Sequence, residues 1–94
     1  MDKRGVAAIV ARKTGICRSD CELVLAKFFE TLAERLLDGE TLVIRKFGRF
    51  EAKRYGSQRF KIKDHAFALG PRRVPAFYPA KALRERMRTH DQDV

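Results

Sequence analysis

Ten Lys and Arg residues stand between Arg45 and Arg73 against two acids, Glu51 and Asp64, so less than a third of the chain carries net +8 of a total +9. Met1 to Ile44 holds seven basic and seven acidic residues and nets zero, while Val74 to Val94 adds only +1. Charge concentrated in this way suits an anionic partner: nucleic acid first, an anionic membrane second and an acidic protein third. The candidate contacts are Arg45, Lys46, Arg49, Lys53, Arg54, Arg59, Lys61, Lys63, Arg72 and Arg73. On phosphates they would release counterions, giving an affinity that falls steeply with salt and reads little sequence.

Other chemistry has weaker support. Nothing pairs a nucleophile with a positioned base, and the two histidines lack neighbouring cysteine or carboxylate sets, so neither an enzyme, a metal centre nor a cofactor is expected. Cys17 and Cys21 lie four apart in one predicted helix, a poor geometry for a disulfide, and read as ordinary thiols. The apolar run Val6 to Ala11 is cut off by Arg12 and Lys13, so no signal peptide or membrane span is expected, and the location is expected to be cytoplasmic.

The elements that position the cations follow from periodicity and punctuation. A short helix is predicted over Gly5 to Lys13, with Asp2 as its cap and Gly15 as a left-handed stop. A second runs from about Arg18 to Leu37 and ends at Gly39; its stripe includes Leu25, Phe28, Phe29, Leu32 and Leu36. Strands begin at Leu42-Val43-Ile44, and Phe47-Gly48-Arg49-Phe50 suggests a tight turn in which Gly48 takes a conformation a side chain resists. A long hairpin follows. In Arg59-Phe60-Lys61-Ile62-Lys63, three cations share one face and two apolar residues the other. With the reversal at Asp64-His65, Ile62 should oppose Phe67 and Phe60 should oppose Leu69. Pro79 is expected to begin a final helix with Leu83 and Met87 on its inner face, followed by a frayed tail that includes His90.

The long-helix stripe is wide for a chain of this size, and Phe28 and Phe29 cannot point the same way. A single-chain core is one reading; an intertwined dimer core supplying the missing burial is the sharper one. Phe47, Phe50 and Phe77 are expected in the core rather than stacked on bases, whereas Tyr55 and Tyr78 tolerate a wet boundary and Phe60 lies far enough out to touch a partner.

Phe47-Gly48-Arg49-Phe50 and Val74-Pro75-Ala76-Phe77, joined by a basic hairpin and followed by Lys81-Ala82-Leu83, resemble in order and spacing the bacterial HU and integration host factor family. The likeness extends from Lys13 and Gly15 through Phe28-Phe29-Glu30-Thr31 and covers nearly the whole chain. It implies one α+β domain over residues 1–94, an intertwined dimer with a helical base, a small antiparallel sheet forming a saddle, and two extended β-ribbon arms that embrace DNA through the minor groove. On this scheme residues 1–39 form the helical dimerisation part, 40–76 the sheet and arm, 78–88 the last helix and 89–94 the tail. Lys3, Arg45, Lys46 and Lys81 look like contacts beneath the duplex, and the resemblance implies a nucleoid-associated homodimer, with a heterodimer with a related subunit left open.

Departures from the family pattern carry information too. The arm has no proline between Lys53 and Gly70, where relatives carry one near the tip that wedges between base pairs, and it is about two residues shorter. Weaker bending is expected, with Ile62 as an alternative wedge and His65 as an exposed turn residue or a pH-sensitive contact. Lys46 stands where many relatives have glycine, and Arg49 replaces a commonly small polar residue. The leading expectation is sequence-neutral, architectural binding of double-stranded DNA, mildly favouring a narrow A·T-rich groove. A site-preferring bending subunit and a DNA-bridging scaffold built on Phe60, Ile62 and Phe67 are the alternatives.

Overall fold

Caps and glycines set the helix ends. In the computed structural model, which describes residues 1–92, the order is α1 (Lys3–Thr14), α2 (Arg18–Leu37), β1 (Leu42–Ile44), β2 (Gly48–Tyr55), β3 (Gln58–Ile62), β4 (His65–Leu69), β5 (Arg72–Pro79) and α3 (Lys81–Gln92). The chain divides within α2 into two compact units, Met1–Glu34 and the residues from Arg35 onward.

In the first unit, Asp2 Oδ1 accepts a hydrogen bond from the Gly5 N–H at 3.0 Å, satisfying one of the free donors of α1. Gly15, at φ 78°, donates to the Ala11 carbonyl at 2.9 Å and closes the helix in the left-handed conformation expected of it. Ala7, Cys21 and Leu32 are buried. Both cysteines are free: the exposed Cys17 thiol lies 3.4 Å from Ser19 Oγ, and the Cys21 thiol donates to the Ile16 carbonyl at 3.8 Å. Leu23, Val24, Phe28 and Phe29 remain exposed, with the two phenylalanine rings edge to face at 5.2 Å.

In the second unit, the end of α2 is a Schellman motif. Gly39, at φ 83°, donates to Leu36 and Glu40 donates to Arg35, each at 3.0 Å. Beyond it, β1, β2 and β5 form an antiparallel sheet in the order β1-β2-β5, with Gly48 opposite Pro79 and Tyr55 opposite Arg72. β5 is an edge strand, where Pro75 and Pro79 are tolerated. The pairing then breaks at Gly56-Ser57 and Gly70-Pro71, and β3 and β4 continue as a separate two-stranded ribbon.

Three expectations need correction here. Gly48 does not have a positive φ; the left-handed residue is Lys46, at φ 65°, in the turn closed by the Phe47 N–H on the Ile44 carbonyl at 3.0 Å. Gly48 is required for space, because a Cβ there would lie 2.5 Å from Phe77 Cε1 and 2.6 Å from the Tyr78 carbonyl oxygen. The distal ribbon turns on two residues, Lys63 and Asp64, so Phe60 faces Phe67 and Ile62 faces His65, a register shifted by two from the expected one. Lys63 therefore belongs to the turn and not to the cationic strand face, and its φ is 57°.

The last helix also starts later than expected. Pro79 stays in the ladder opposite Gly48, Ala80 donates to the Phe47 carbonyl at 2.9 Å, and the Ala80 carbonyl accepts from Arg84 at 3.1 Å, so α3 opens at Lys81. It runs through Gln92, placing His90 in the helix and leaving residues 93–94 of the expected tail outside the described residues. Met87 is exposed and Leu83 half-buried, so of the expected inner face only Leu83 is covered. No described helix is long and apolar enough to cross a membrane.

Lys46 yields a stability prediction. A lysine held left-handed costs about 1–2 kcal/mol, part of which glycine would return to a more flexible unfolded chain. Lys46→Gly is expected to stabilise the protein by about 1 kcal/mol in thermal unfolding followed by circular dichroism at fixed protein concentration. A loss of stability would mean that the lysine side chain has a packing role of its own.

Candidate nucleic-acid interface

Residues directly opposite one another in an antiparallel pair share a face, so the register sorts the β2–β5 side chains into two sets. One set is apolar: Leu42, Ile44, Phe50, Ala52, Pro75 and Phe77. The Phe77 ring lies 4.8 Å from Phe50 and 5.5 Å from Phe47, so the three phenylalanines form one aromatic cluster. Phe47 and Phe77 are nevertheless exposed within the single chain.

The other set carries the charge, with Arg49, Glu51, Lys53 and Tyr55 on β2 facing Tyr78, Ala76, Val74 and Arg72 on β5. Here cations cover aromatic rings. The Arg49 guanidinium sits 4.5 Å from the centre of Tyr78, and Tyr55 is flanked by Lys53 Nζ at 5.4 Å and the Arg72 guanidinium at 5.1 Å. A ring under a guanidinium fixes its plane and contributes about 0.5–1 kcal/mol at an exposed site, while N–H groups at the edge stay free for oxygen acceptors. The tyrosines next to Lys53, Tyr55 foremost and then Tyr78, raise its ammonium above the usual lysine value, so it stays charged across the neutral range. Arg72 donates to Gln58 Oε1 at 3.2 Å, and its buried Nη1 has no partner. Glu51 forms an ion pair with Arg49, Oε2 to Nε at 3.5 Å, and partly offsets the charge.

The remaining candidates are distributed. Arg54 and Arg73 oppose each other on the apolar side of the ladder, and Arg73 Nη2 donates to the Leu37 carbonyl at 3.0 Å. Arg73 thus ties the end of α2 to β5, a structural duty the sequence did not reveal. Arg45 and Lys46 stand exposed in the β1–β2 turn, and Lys63 in the ribbon turn. Arg59 and Lys61 face Ala68 and Ala66 on one side of the distal ribbon, while His65 shares the other side with Ile62. Lys81 opens α3 with its ammonium 3.8 Å from Glu85. Lys3, exposed at the start of α1, lies in the first unit.

A basic, aromatic-backed strand face continued by an exposed basic ribbon is an arrangement for holding a polyanion. The model of the family described as bacterial DNA-binding protein matches residues 1–88. The chain belongs to that family. It is 32% identical over 90 residues to DNA-binding protein HU of Thermotoga maritima, covering 94% of this chain and 100% of the relative. It is also 34% identical over 92 residues to integration host factor subunit beta of Xanthomonas campestris pv. campestris, covering 93% of this chain and 87% of that one. Among solved structures, HU of Anabaena in a cocrystal with DNA matches with a TM-score of 0.86 at 26% identity, over 93% of this chain and 97% of that chain.

Membership in the bacterial DNA-binding protein family bears out the resemblance and the α+β fold read from the sequence. The features sequence reasoning missed are the cation–tyrosine stacks and the Arg73 strut. Each joins residues more than fifteen positions apart, except for the Lys53–Tyr55 pair, whose i, i+2 spacing on one strand was available as a signal.

Proposed function

We propose that this protein is an architectural, largely sequence-neutral binder of double-stranded DNA that acts as a dimer. The observation that carries this reading is a pair of basic faces, one on the sheet with Arg49, Lys53 and Arg72 and one on the ribbon with Arg59 and Lys61. Arg45, Lys46, Lys63 and Lys81 add contacts from the second unit, Arg54 contributes from the other side of the ladder, Lys3 contributes from the first unit, and the ribbon follows the minor groove. Arg73 contributes chiefly by holding its strand. A nucleoid location and a binding role without catalysis accompany this reading, in keeping with relatives named for DNA binding.

The dimer accounts for the unfinished interior. The single chain exposes 8188 Å², whereas a folded monomer of its mass exposes about 5,500 Å². In the first unit, exposed Leu23, Val24, Phe28 and Phe29 on α2 are surface a second copy can cover, with Leu25 half-buried and Leu32 already buried in its own chain; in the second unit, exposed Leu37, Phe47 and Phe77 are such surface, with Leu36 and Phe50 half-buried. Sedimentation at micromolar protein is expected to show a species of twice the 10.8 kDa chain mass. A 10.8 kDa species alone would contradict the dimer.

Bending is weaker than in proline-armed relatives, because the ribbon turn is Lys63-Asp64 and the apolar residue nearest it, Ile62, is paired in the ladder with His65. Energy transfer between the ends of a short doubly labelled duplex tests this, with binding followed in parallel. Little change at saturation is expected; a large rise would assign Ile62 the wedge role. Competition against random duplex is expected to show no site favoured by about 10³-fold, the lower end for specific binders.

A further inference from the structure

We propose that the apolar face of the β3–β4 ribbon is a contact between copies of this protein, pairing with the same face of a ribbon from a second dimer and thereby bridging two DNA segments. This rests on the DNA-binding reading above and adds to it a partner for a surface that reading leaves bare.

The register places Phe60, Ile62, Phe67 and Leu69 on one face of the ribbon, joined by Gln58 and His65. These four side chains are 43%, 62%, 50% and 42% exposed. A two-stranded ribbon has no second layer beneath it and is only marginally stable in water. With aromatic side chains of roughly 200 Å², the four together leave on the order of 300–400 Å² of apolar surface, the size of patch that marks an interaction site.

The opposite face is of another kind. Arg59 and Lys61 stand there across from Ala68 and Ala66, so the cations are its tallest groups and can reach phosphates without obstruction. One ribbon cannot lay both faces on the same stretch of backbone. When Arg59 and Lys61 meet phosphate, Phe60 and Phe67 point away from it.

Charge and area then choose the occupant. The apolar face carries no Lys or Arg, and its one titratable group is His65, so two such faces can meet without opposing the fixed charges of two basic proteins. The contact is self-complementary, as a two-fold interface requires, and stacked ribbons sit about 10 Å apart. Its 300–400 Å² or so per partner falls well short of the roughly 800 Å² per partner of a stable interface. Pairing therefore fails between free dimers and forms on DNA, where bound phosphate offsets the charge and binding along the duplex raises the local ribbon concentration.

The test uses two short duplexes of the same sequence, one carrying a donor and the other an acceptor, mixed with full-length protein. Wild type is expected to bind the duplex and bring the two dyes together. The double variant Phe60→Thr/Phe67→Thr keeps strand propensity, and is expected to bind a single duplex within about threefold of wild type while inter-duplex transfer falls at least about tenfold. Phe60→Leu/Phe67→Leu, which keeps the face apolar, is expected to retain transfer. Unchanged transfer in the threonine variant would overturn the proposal, as would a loss of single-duplex affinity in step with transfer, which would make this face a DNA contact. Wild type that binds duplex without bridging also overturns it. Failure of wild type to bind any duplex would instead remove the DNA-binding reading itself.

Discussion

Gly48→Ala is expected to lower stability by roughly 3 kcal/mol or more, among the largest effects available to a single methyl group. The added Cβ would lie 2.5 Å and 2.8 Å from Phe77 Cε1 and Cζ, and 2.6 Å from the Tyr78 carbonyl oxygen. Neither neighbour has an easy retreat. Phe77 packs on Phe47 and Phe50, and the Tyr78 carbonyl belongs to the strand that pairs β2 from Gly48 to Tyr55. For a domain of this size the loss corresponds to a fall in Tm on the order of 15 °C. Gly70→Ala is the matched control: a Cβ there meets nothing within 4 Å, and the expected change is within about 0.5 kcal/mol. Thermal unfolding of the three proteins at one concentration decides the matter, and a Gly48→Ala variant within 1 kcal/mol or so of wild type would refute the tight approach of β5 to β2.

The second large effect concerns binding. Arg49→Gln, Lys53→Gln and Arg72→Gln together remove three charges per chain from one strand face, and six per dimer. Duplex affinity at about 0.1 M salt is expected to fall on the order of 10²- to 10³-fold, and the slope of log affinity against log salt to lessen by as much as about 5. Glutamine keeps part of each stem over Tyr55 and Tyr78, which limits the structural cost. Arg73→Gln provides the contrast. Its guanidinium is engaged with the Leu37 carbonyl, so its removal is expected to cost about 1 kcal/mol of stability with little change in salt slope. If Arg73→Gln reduced the slope as much as the triple variant does per charge, the division of labour between the two neighbouring arginines would be wrong.

That division shows where sequence reasoning reached its limit. Asp2, Gly15 and Gly39 act locally, through caps and left-handed residues, and the ends of α1 and α2 were legible from them to within two residues. In the distal ribbon, alternation identified the faces of Arg59 to Ile62 correctly, because a strand repeats every two residues, while Lys63 fell in the turn. The same repeat left the register open, since a slip of two preserves each face while changing each partner. Phe60 meets Phe67 instead of Leu69 because the turn takes only Lys63 and Asp64. Gly48 was correctly singled out for the wrong reason: the constraint comes from Phe77, twenty-nine residues on, and local spacing contains no trace of it. Arg72 and Arg73 look alike in sequence, yet strand alternation sends one to Tyr55 and the other to the end of α2.

The most direct measurement is the affinity of the wild-type protein for a random-sequence duplex as a function of salt. A basic strand face and ribbon that neutralise phosphates predict tight binding at low salt that weakens by about 10³-fold or more between roughly 50 and 200 mM. A change below about tenfold across that range, or no binding at the lowest salt, would contradict phosphate contact by this surface as the basis of the protein's function.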